Sequence, residues 1–355
     1  MNPELLDFAT RLRDMISPEE RIPWVSDFEK LALELFALQY GANPAYRKIC
    51  EAREATPQTI GHWTQIPAVP TAAFKELELT SLTPEERTAV FHSSGTTEQK
   101  PSRHFHNDES LRVYEVSLWN WFKAHFGDAR EMMFLTPSAE AAPHSSLVHM
   151  FEIVRQKFGL PKTNFTGNVA SNGSWMVDFE ATVQKLKQAC DSGRPLTLLG
   201  TAFSFVHLVD YLAENQLRFQ LPVSSRVMET GGYKNRSRML PKAELHTLIS
   251  KRLGISVEKI ICEYGMSELS SQAYDSGTDR IFHFPAWARV QIISPETSLE
   301  VADGEAGIIR IFDLANVFSV AAIQTEDLGI RRGEGFELIG RAQLSEPRGC
   351  SLMTA

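Results

Sequence analysis

Between Thr88 and about residue 285, short apolar runs alternate with longer amphipathic stretches, and this alternation constrains the fold more than any other feature. The runs are AVFHSS, EMMFLTP, LTLLG, SSRVMETGG and KIICEYG; the stretches include FEATVQKLKQACDSG and LPKAELHTLISKRLG. Strand-length runs separated by helix-length segments predict an α/β fold with a largely parallel sheet flanked by helices. Beyond residue 285 the texture changes to ARVQIISPE, LEVADGEAGIIRIFDL, VFSVAAIQTEDLGIRR and GFELIGR, strands joined by Gly and Asp turns, which predicts a small β-rich subdomain. Residues 1–65 read as helical: Ser26 and Glu29 fit a capping box, Phe28, Leu31, Leu35 and Leu38 share a face, and Gly41 is a plausible stop. Closely spaced prolines in IPAVPTAAF favour an extended entry into the next unit. The expected organisation is a helical segment over 1–65, an α/β core over 66–285, a β-rich subdomain over 286–341 and a short tail over 342–355.

The 355 residues are 43% hydrophobic and 23% charged, an ordinary globular balance that excludes disorder as the main state. A net charge of −8 leaves no basic field for a nucleic-acid backbone, so nucleic acid is not an expected partner. Cys50, Cys190, Cys262 and Cys350 lie far apart with no CxxC pair, which suggests neither a disulfide framework nor a zinc knuckle and fits a reducing cytoplasm. The opening MNPELLDFATRLRDMI is too charged for a secretion signal, and the apolar stretch from Pro195 to Ala213 is too polar for a membrane span. A soluble, cytoplasmic protein is expected.

Three motifs can carry chemistry. Ser93-Ser94-Gly95-Thr96-Thr97-Glu98-Gln99-Lys100 follows the run Ala89-Val90-Phe91. Hydroxyl residues around a glycine allow backbone N–H groups and hydroxyls to converge on phosphate oxygens, though no Walker A spacing is present, and a polar turn would read the same way. Glu263-Tyr264-Gly265-Met266-Ser267-Glu268 follows the strand pattern Lys259 to Cys262. This places an aromatic, a glycine, a hydroxyl and a carboxylate at the carboxyl edge of a sheet, where open α/β folds bind ligands, and Glu268 can offer hard oxygen to Mg²⁺. The bland alternative is a strand-to-helix turn. The third is Thr325-Glu326-Asp327-Leu328-Gly329 followed by Gly335 to Arg341; Asp327 can accept both ribose hydroxyls and Arg341 can pair with phosphate.

Together and in this order, the three motifs resemble the adenylate-forming superfamily of acyl-CoA ligases, adenylation domains and luciferase-like enzymes. Gly231-Gly232-Tyr233, after Arg226 to Thr230, matches the glycine-bearing strand end that lies along adenine there. The narrower likeness, through SSGTTEQKPSRHFHND, PHSSLVHM and GRAQLSEPRGCSL, is to the acyl-protein synthetases of bacterial bioluminescence. The resemblance implies the N-terminal domain architecture of that superfamily and ATP-dependent formation of an acyl-adenylate, with ATP and Mg²⁺ as cofactors and transfer of the acyl group to a protein thiol. By position, Ser93, Ser94, Gly95, Thr96 and Thr97 would hold phosphates. Gly231, Gly232, Tyr233, Glu263, Tyr264, Gly265 and Met266 would frame the nucleotide, and Ser267 would meet the carboxylate or α-phosphate. Glu268 would carry Mg²⁺, Asp327 and Arg341 would take ribose or phosphate, and Thr97, Arg341 and Cys350 would be the catalytic groups. His144, Ser145, Ser146 and Phe203 would line the pocket for a fatty or aromatic carboxylic acid. A reductase or carrier protein is the implied partner.

The chain departs from the superfamily pattern in two places. The usual Gly-Thr-Thr-Gly-x-Pro-Lys loop here has Glu98 for the second glycine, and Lys100 precedes Pro101. Only residues 342–355 follow Arg341, against roughly 50 for a compact domain, so the mobile lid is expected to be absent. No lysine follows Lys259, and Gln343 stands where the hinge Asp or Lys commonly sits. Cys350, beside Arg348 on the tail, resembles the acyl-accepting cysteine of the acyl-protein synthetases, and its thiolate can attack an acyl-adenylate; the other three cysteines read as buried small hydrophobes. His104, His106, His144 and His149 lack the spacing of a metal motif and read as surface or pocket residues. No GxSxG elbow supports a serine hydrolase. Two alternatives stay open: an adenylating ligase that passes the acyl group to CoA or a carrier protein, and a silent nucleotide-binding subunit.

Overall fold

The computed structural model describes residues 1–17, 24–93, 100–128, 131–231 and 240–341. Three helices open the chain, α1 (Pro3–Ile16), α2 (Trp24–Ala42) and α3 (Pro44–Glu51). Asn2 caps α1 by accepting from the Glu4 amide at 2.9 Å, and Asn43 caps α3 from the Tyr46 amide at 3.1 Å, each with proline at the first turn. Helix α2 starts at Trp24, so the expected cap at Ser26 falls inside the helix. Next come β1 (Val69–Pro70), α4 (Ala73–Glu76), the hairpin β2 (Ala89–His92) and β3 (Arg103–His106), α5 (Asp108–Phe126), β4 (Met132–Phe134) and α6 (Ser146–Lys157). The hairpin β5 (Gly167–Val169) and β6 (Trp175–Val177) leads into α7 (Phe179–Ser192), β7 (Thr197–Thr201), α8 (Ala202–Glu214), β8 (Arg226–Thr230), α9 (Lys242–Leu253) and β9 (Ile260–Tyr264). The chain closes through β10 (Ala273–Tyr274), β11 (Ala288–Ile293), β12 (Ala306–Asp313), β13 (Ala322–Arg332) and β14 (Gly335–Arg341).

The central sheet has the order β10-β9-β8-β7-β4, parallel except for the antiparallel edge strand β10. This is the expected mixed α/β arrangement, with one correction. The run Ala89-Val90-Phe91 is outside this sheet and forms its own antiparallel pair with β3. The four residues of β2 are too few to distinguish a parallel strand from one arm of a hairpin. In β8 and β9 the residues alternate between two packed faces. Val227 and Ile260 meet Leu245 and Ile249 of α9 on one side, while Met228 and Ile261 meet Tyr114 and Met150 of α5 and α6 on the other.

The second sheet runs β1-β13-β12-β11, with β14 also on β13. The proline-rich entry supplies β1, which pairs in parallel with β13 through Val69 opposite Ile323. Phe8, Leu35 and Phe36 of the N-terminal helices and Ile309, Ile311 and Phe312 of β12 belong to one hydrophobic core. Of the cysteines read as buried hydrophobes, Cys50 and Cys262 are buried in the core, Cys262 also touching Glu229 and His246, and Cys190 is only half-buried. No helix among the described residues is long and apolar enough to cross a membrane.

Candidate active site

Because β4, β7, β8 and β9 are parallel, their carboxyl ends gather on one edge, and the motif from Tyr264 to Glu268 leaves the sheet there. The second sheet approaches this edge through β13 and β14, whose register sets Asp327 opposite Arg341. Tyr264 donates its hydroxyl to Asp327 Oδ2 at 2.9 Å, and Arg341 Nε lies 3.7 Å from Asp327 Oδ1. Burial raises the Asp327 carboxyl, opposed by the Tyr264 hydrogen bond and the Arg341 charge. The Arg341 side chain is 81% exposed, so its guanidinium is open to solvent. The Tyr264 ring is held edge-on against Phe336 at 5.2 Å, which fixes where its hydroxyl points.

Glu263 points to the α5 and α6 side of the sheet, buried, and accepts the Thr230 hydroxyl. Burial pushes its carboxyl up to about 7 against that hydrogen bond. Two positions on, Gly265 lets this carboxylate pack close: a Cβ there would stand 2.3 Å from Glu263 Oε1, so a larger residue would make the Glu263 side chain shift. Gly231, just past β8, adopts φ +70°, a left-handed conformation that favours glycine. Met266 is half-buried and packs on the core shared by the N-terminal helices and β12.

Ser267 and Glu268 are buried, and Ser267 Oγ donates to Glu268 Oε2 at 3.0 Å. The hairpin of β2 and β3 closes over them. Ser102 Oγ is 3.4 Å from Ser267 Oγ, and His104 Nδ1 donates to the Ser267 carbonyl at 2.8 Å. Burial lowers His104 to about 4, which keeps the ring neutral with its proton on Nδ1. Burial raises Glu268, while the hydroxyls of Ser102 and Ser267 and the Lys75 charge oppose it. Ser93 accepts from the Ser102 amide at 3.0 Å, which ties the near end of the Ser/Thr loop to the same corner. Asp313 supports the turn from behind, accepting the Ser270 and Ser271 amides at 2.9 and 2.8 Å, and Asn316 Nδ2 donates to the Glu268 carbonyl at 2.9 Å.

The structure thus brings together Ser93, Ser267 and Glu268 at one corner, and Tyr264, Asp327 and Arg341 at the other. His144 stands near the first: its Nδ1 donates to the Val90 carbonyl at 3.1 Å, and its ring lies 5.0 Å from that of His92, the residue before Ser93. Ser145 caps α6, and the Ser146 carbonyl accepts the Tyr114 hydroxyl at 3.2 Å. Phe203 opens α8 and packs on His207 at 4.4 Å, half-buried. Lys100 pairs with Glu76 at 3.3 Å. Ser94, Gly95, Thr96, Thr97, Gly232, Tyr233 and Cys350 lie outside the described residues. His104 and His106, expected at the surface or in a pocket, are buried in the interior. Ser102, Asp313 and Asn316 were missed because the site residues they hold are 42 or more residues away and no local pattern marks them.

A family model described as "Acyl-protein synthetase, LuxE" matches residues 16–355. A long-chain-fatty-acid–luciferin-component ligase of Aliivibrio fischeri is 26% identical over 342 residues, covering 92% of this chain and 87% of that protein. A ligase of the same name from Vibrio harveyi is 24% identical over 334 residues, 91% of this chain and 86% of that protein. Among solved structures, a 2-hydroxyisobutyryl-CoA ligase in complex with 2-HIB-AMP superposes with a TM-score of 0.66 at 13% identity, covering 89% of this chain and 68% of that one. ATP-bound MatB from Rhodopseudomonas palustris gives 0.50 at 15% identity, covering 84% of this chain and 58% of that one. The central sheet and its carboxyl edge therefore belong to the fold of adenylate-forming enzymes.

Proposed function

We propose that this chain, which belongs to the LuxE family of acyl-protein synthetases, activates a long-chain fatty acid with ATP and transfers the acyl group to a protein thiol, its own Cys350. The name shared by its two ligase relatives supports the choice of acid. One observation of this molecule carries the reading: five consecutive residues, Tyr264 to Glu268, leave the carboxyl edge of the central sheet and join the Asp327–Arg341 corner to the Ser267–Glu268 corner. Such a segment suits a nucleotide with its sugar at one end and its phosphates at the other.

In this account Asp327 accepts the ribose hydroxyls, held for that task by Tyr264, and Arg341 reaches ribose or phosphate from the open side. Ser93, Ser94, Gly95, Thr96 and Thr97 take the phosphates, and Gly231, Gly232 and Tyr233 run along the adenine. Glu268, Ser267 and Ser102 form an all-oxygen donor set with no cation bonded to the carboxylate among the described residues, which fits Mg²⁺. Glu268 would hold that ion, which when bound neutralises triphosphate charge. Ser267 orients the fatty-acid carboxylate, whose oxygen attacks the α-phosphorus as pyrophosphate leaves. Holding the two reactants in line supplies most of the rate. The Cys350 thiolate then attacks the acyl carbonyl; a C–S bond forms, the C–O bond to AMP breaks, and the thiol proton goes to solvent. His144, Ser145, Ser146 and Phe203 border the acyl chain, and a reductase or carrier protein takes the thioester onward.

The test is fatty-acid-dependent exchange of labelled pyrophosphate into ATP. Exchange that requires both the acid and Mg²⁺ is expected; AMP binding with no exchange for any acid would contradict the reading.

A further inference from the structure

Three side chains from three elements meet on the α9 side of the central sheet, opposite Thr230 and Glu263. Glu229 of β8, His246 of α9 and Cys262 of β9 are each no more than 2% exposed. His246 Nε2 lies 3.1 Å from Glu229 Oε2, Cys262 Sγ lies 3.4 Å from the same oxygen, and Cys262 Sγ lies 3.8 Å from the same nitrogen. A linear hydrogen-bonded relay would use both ring nitrogens in turn. Here one atom from each residue closes a triangle.

We propose that Glu229, His246 and Cys262 form a zinc site. Tetrahedral Zn²⁺, with bonds of about 2.0–2.2 Å to nitrogen and oxygen and about 2.3 Å to sulfur, sets such atoms roughly 3.3–3.6 Å apart. Each observed separation is within about 0.3 Å of that geometry, and nitrogen, sulfur and carboxylate oxygen together are a donor set zinc prefers over Mg²⁺ or Ca²⁺. On binding, the Cys262 thiol loses its proton and neutral His246 coordinates through Nε2 with its proton on Nδ1. Water takes the fourth position.

The surrounding charges allow this. Zn²⁺ is balanced by the Glu229 carboxylate and the Cys262 thiolate. Arg280, 3.7 Å from Cys262 Sγ, has its own counter-ion in Asp275 at 3.2 Å. Lys242, 3.9 Å from Glu229 Oε2, is the remaining cation beside it among the described residues; its side chain is 42% exposed, so it can turn outward to water. Lys242 therefore serves as the counter-ion of Glu229 in the metal-free chain and competes with the metal. The site would fasten β8, β9 and α9 directly beneath Thr230, Gly231 and Tyr264. Sequence reading passed over it because its ligands are 16 to 33 residues apart and share no motif.

The test is titration of the full-length, EDTA-treated protein with Co²⁺, followed by zinc competition. One equivalent should give the visible bands of a tetrahedral ion and a near-ultraviolet thiolate-to-cobalt charge-transfer band, both erased by zinc. Cys262→Ser should lose the charge-transfer band. Lys242→Met should bind Co²⁺ about tenfold more tightly or better, since a like charge close by is removed. No charge-transfer band in the wild type, a band that survives Cys262→Ser, or unchanged affinity in Lys242→Met would each overturn the proposal.

Discussion

Asp327 and Glu268 are both carboxylates raised by burial, and both accept a hydroxyl hydrogen bond, yet among the described residues only Asp327 has a cation within ion-pair distance. Arg341 stands 3.7 Å from Asp327, and the Tyr264 hydroxyl is fixed by its aromatic surroundings. Glu268 has serine hydroxyls around it and feels Lys75 through space, with no ion pair between them among the described residues. One corner of the site is therefore organised before a ligand arrives, and the other is completed by a ligand that brings positive charge. In the proposed account these corners correspond to sugar recognition and to phosphate chemistry.

That contrast can be broken at either corner. Glu268→Gln should have the largest effect, about 100-fold or more on acid-dependent pyrophosphate exchange, while AMP affinity changes little. Equal losses in exchange and AMP affinity would show that the two corners are not separate. Asp327→Ala should weaken AMP and ATP binding about 10- to 100-fold, as expected when hydrogen bonds to a charged group are removed, with exchange falling in parallel. Calorimetry with AMP checks it; unchanged affinity would remove Asp327 from the ribose. Glu263, just before Tyr264 on the other face of the sheet, tests whether burial alone explains its carboxyl. It holds a proton up to about 7 in the folded chain, against 4.5 as its ordinary value. Its contribution is full below the ordinary value and is lost as pH rises through the folded one, so wild-type stability should fall relative to Glu263→Gln over that window. The divergence should reach about 3 kcal/mol. Parallel melting curves for the two proteins across pH would refute it. The smallest effect belongs to Tyr264→Phe, which leaves Asp327 in place without its orienting donor; AMP affinity should drop about fivefold.

The parts of the fold legible in the sequence are those whose signal is local. The runs around Met132, Leu198, Val227 and Ile261 became the parallel strands, and FEATVQKLKQACDSG became α7, capped by Asp178 and ended by Gly193. Ala89 to Phe91 carried the same apolar signal and joined a hairpin, because a short run records burial and not strand direction. The pairing of Val69 with Ile323 and the Tyr264–Asp327 hydrogen bond link residues far apart in the chain, where no spacing rule applies. Residues Tyr264 to Glu268 stood out because a strand ending in that combination is uncommon. His104 and Asp313 gave no such signal: one is a histidine in a hairpin and the other a strand-end aspartate, and only tertiary packing turns them toward the loop.

Transfer of the acyl group to Cys350 is the central claim. Intact-protein mass spectrometry after incubation with MgATP and a long-chain fatty acid tests it most directly, beside a Cys350→Ser control. The account predicts an ATP-dependent mass increase of one acyl group, labile to hydroxylamine, on the wild type and none on the variant. An adduct of the same size on Cys350→Ser, or no adduct on the wild type while pyrophosphate exchange proceeds, would contradict it.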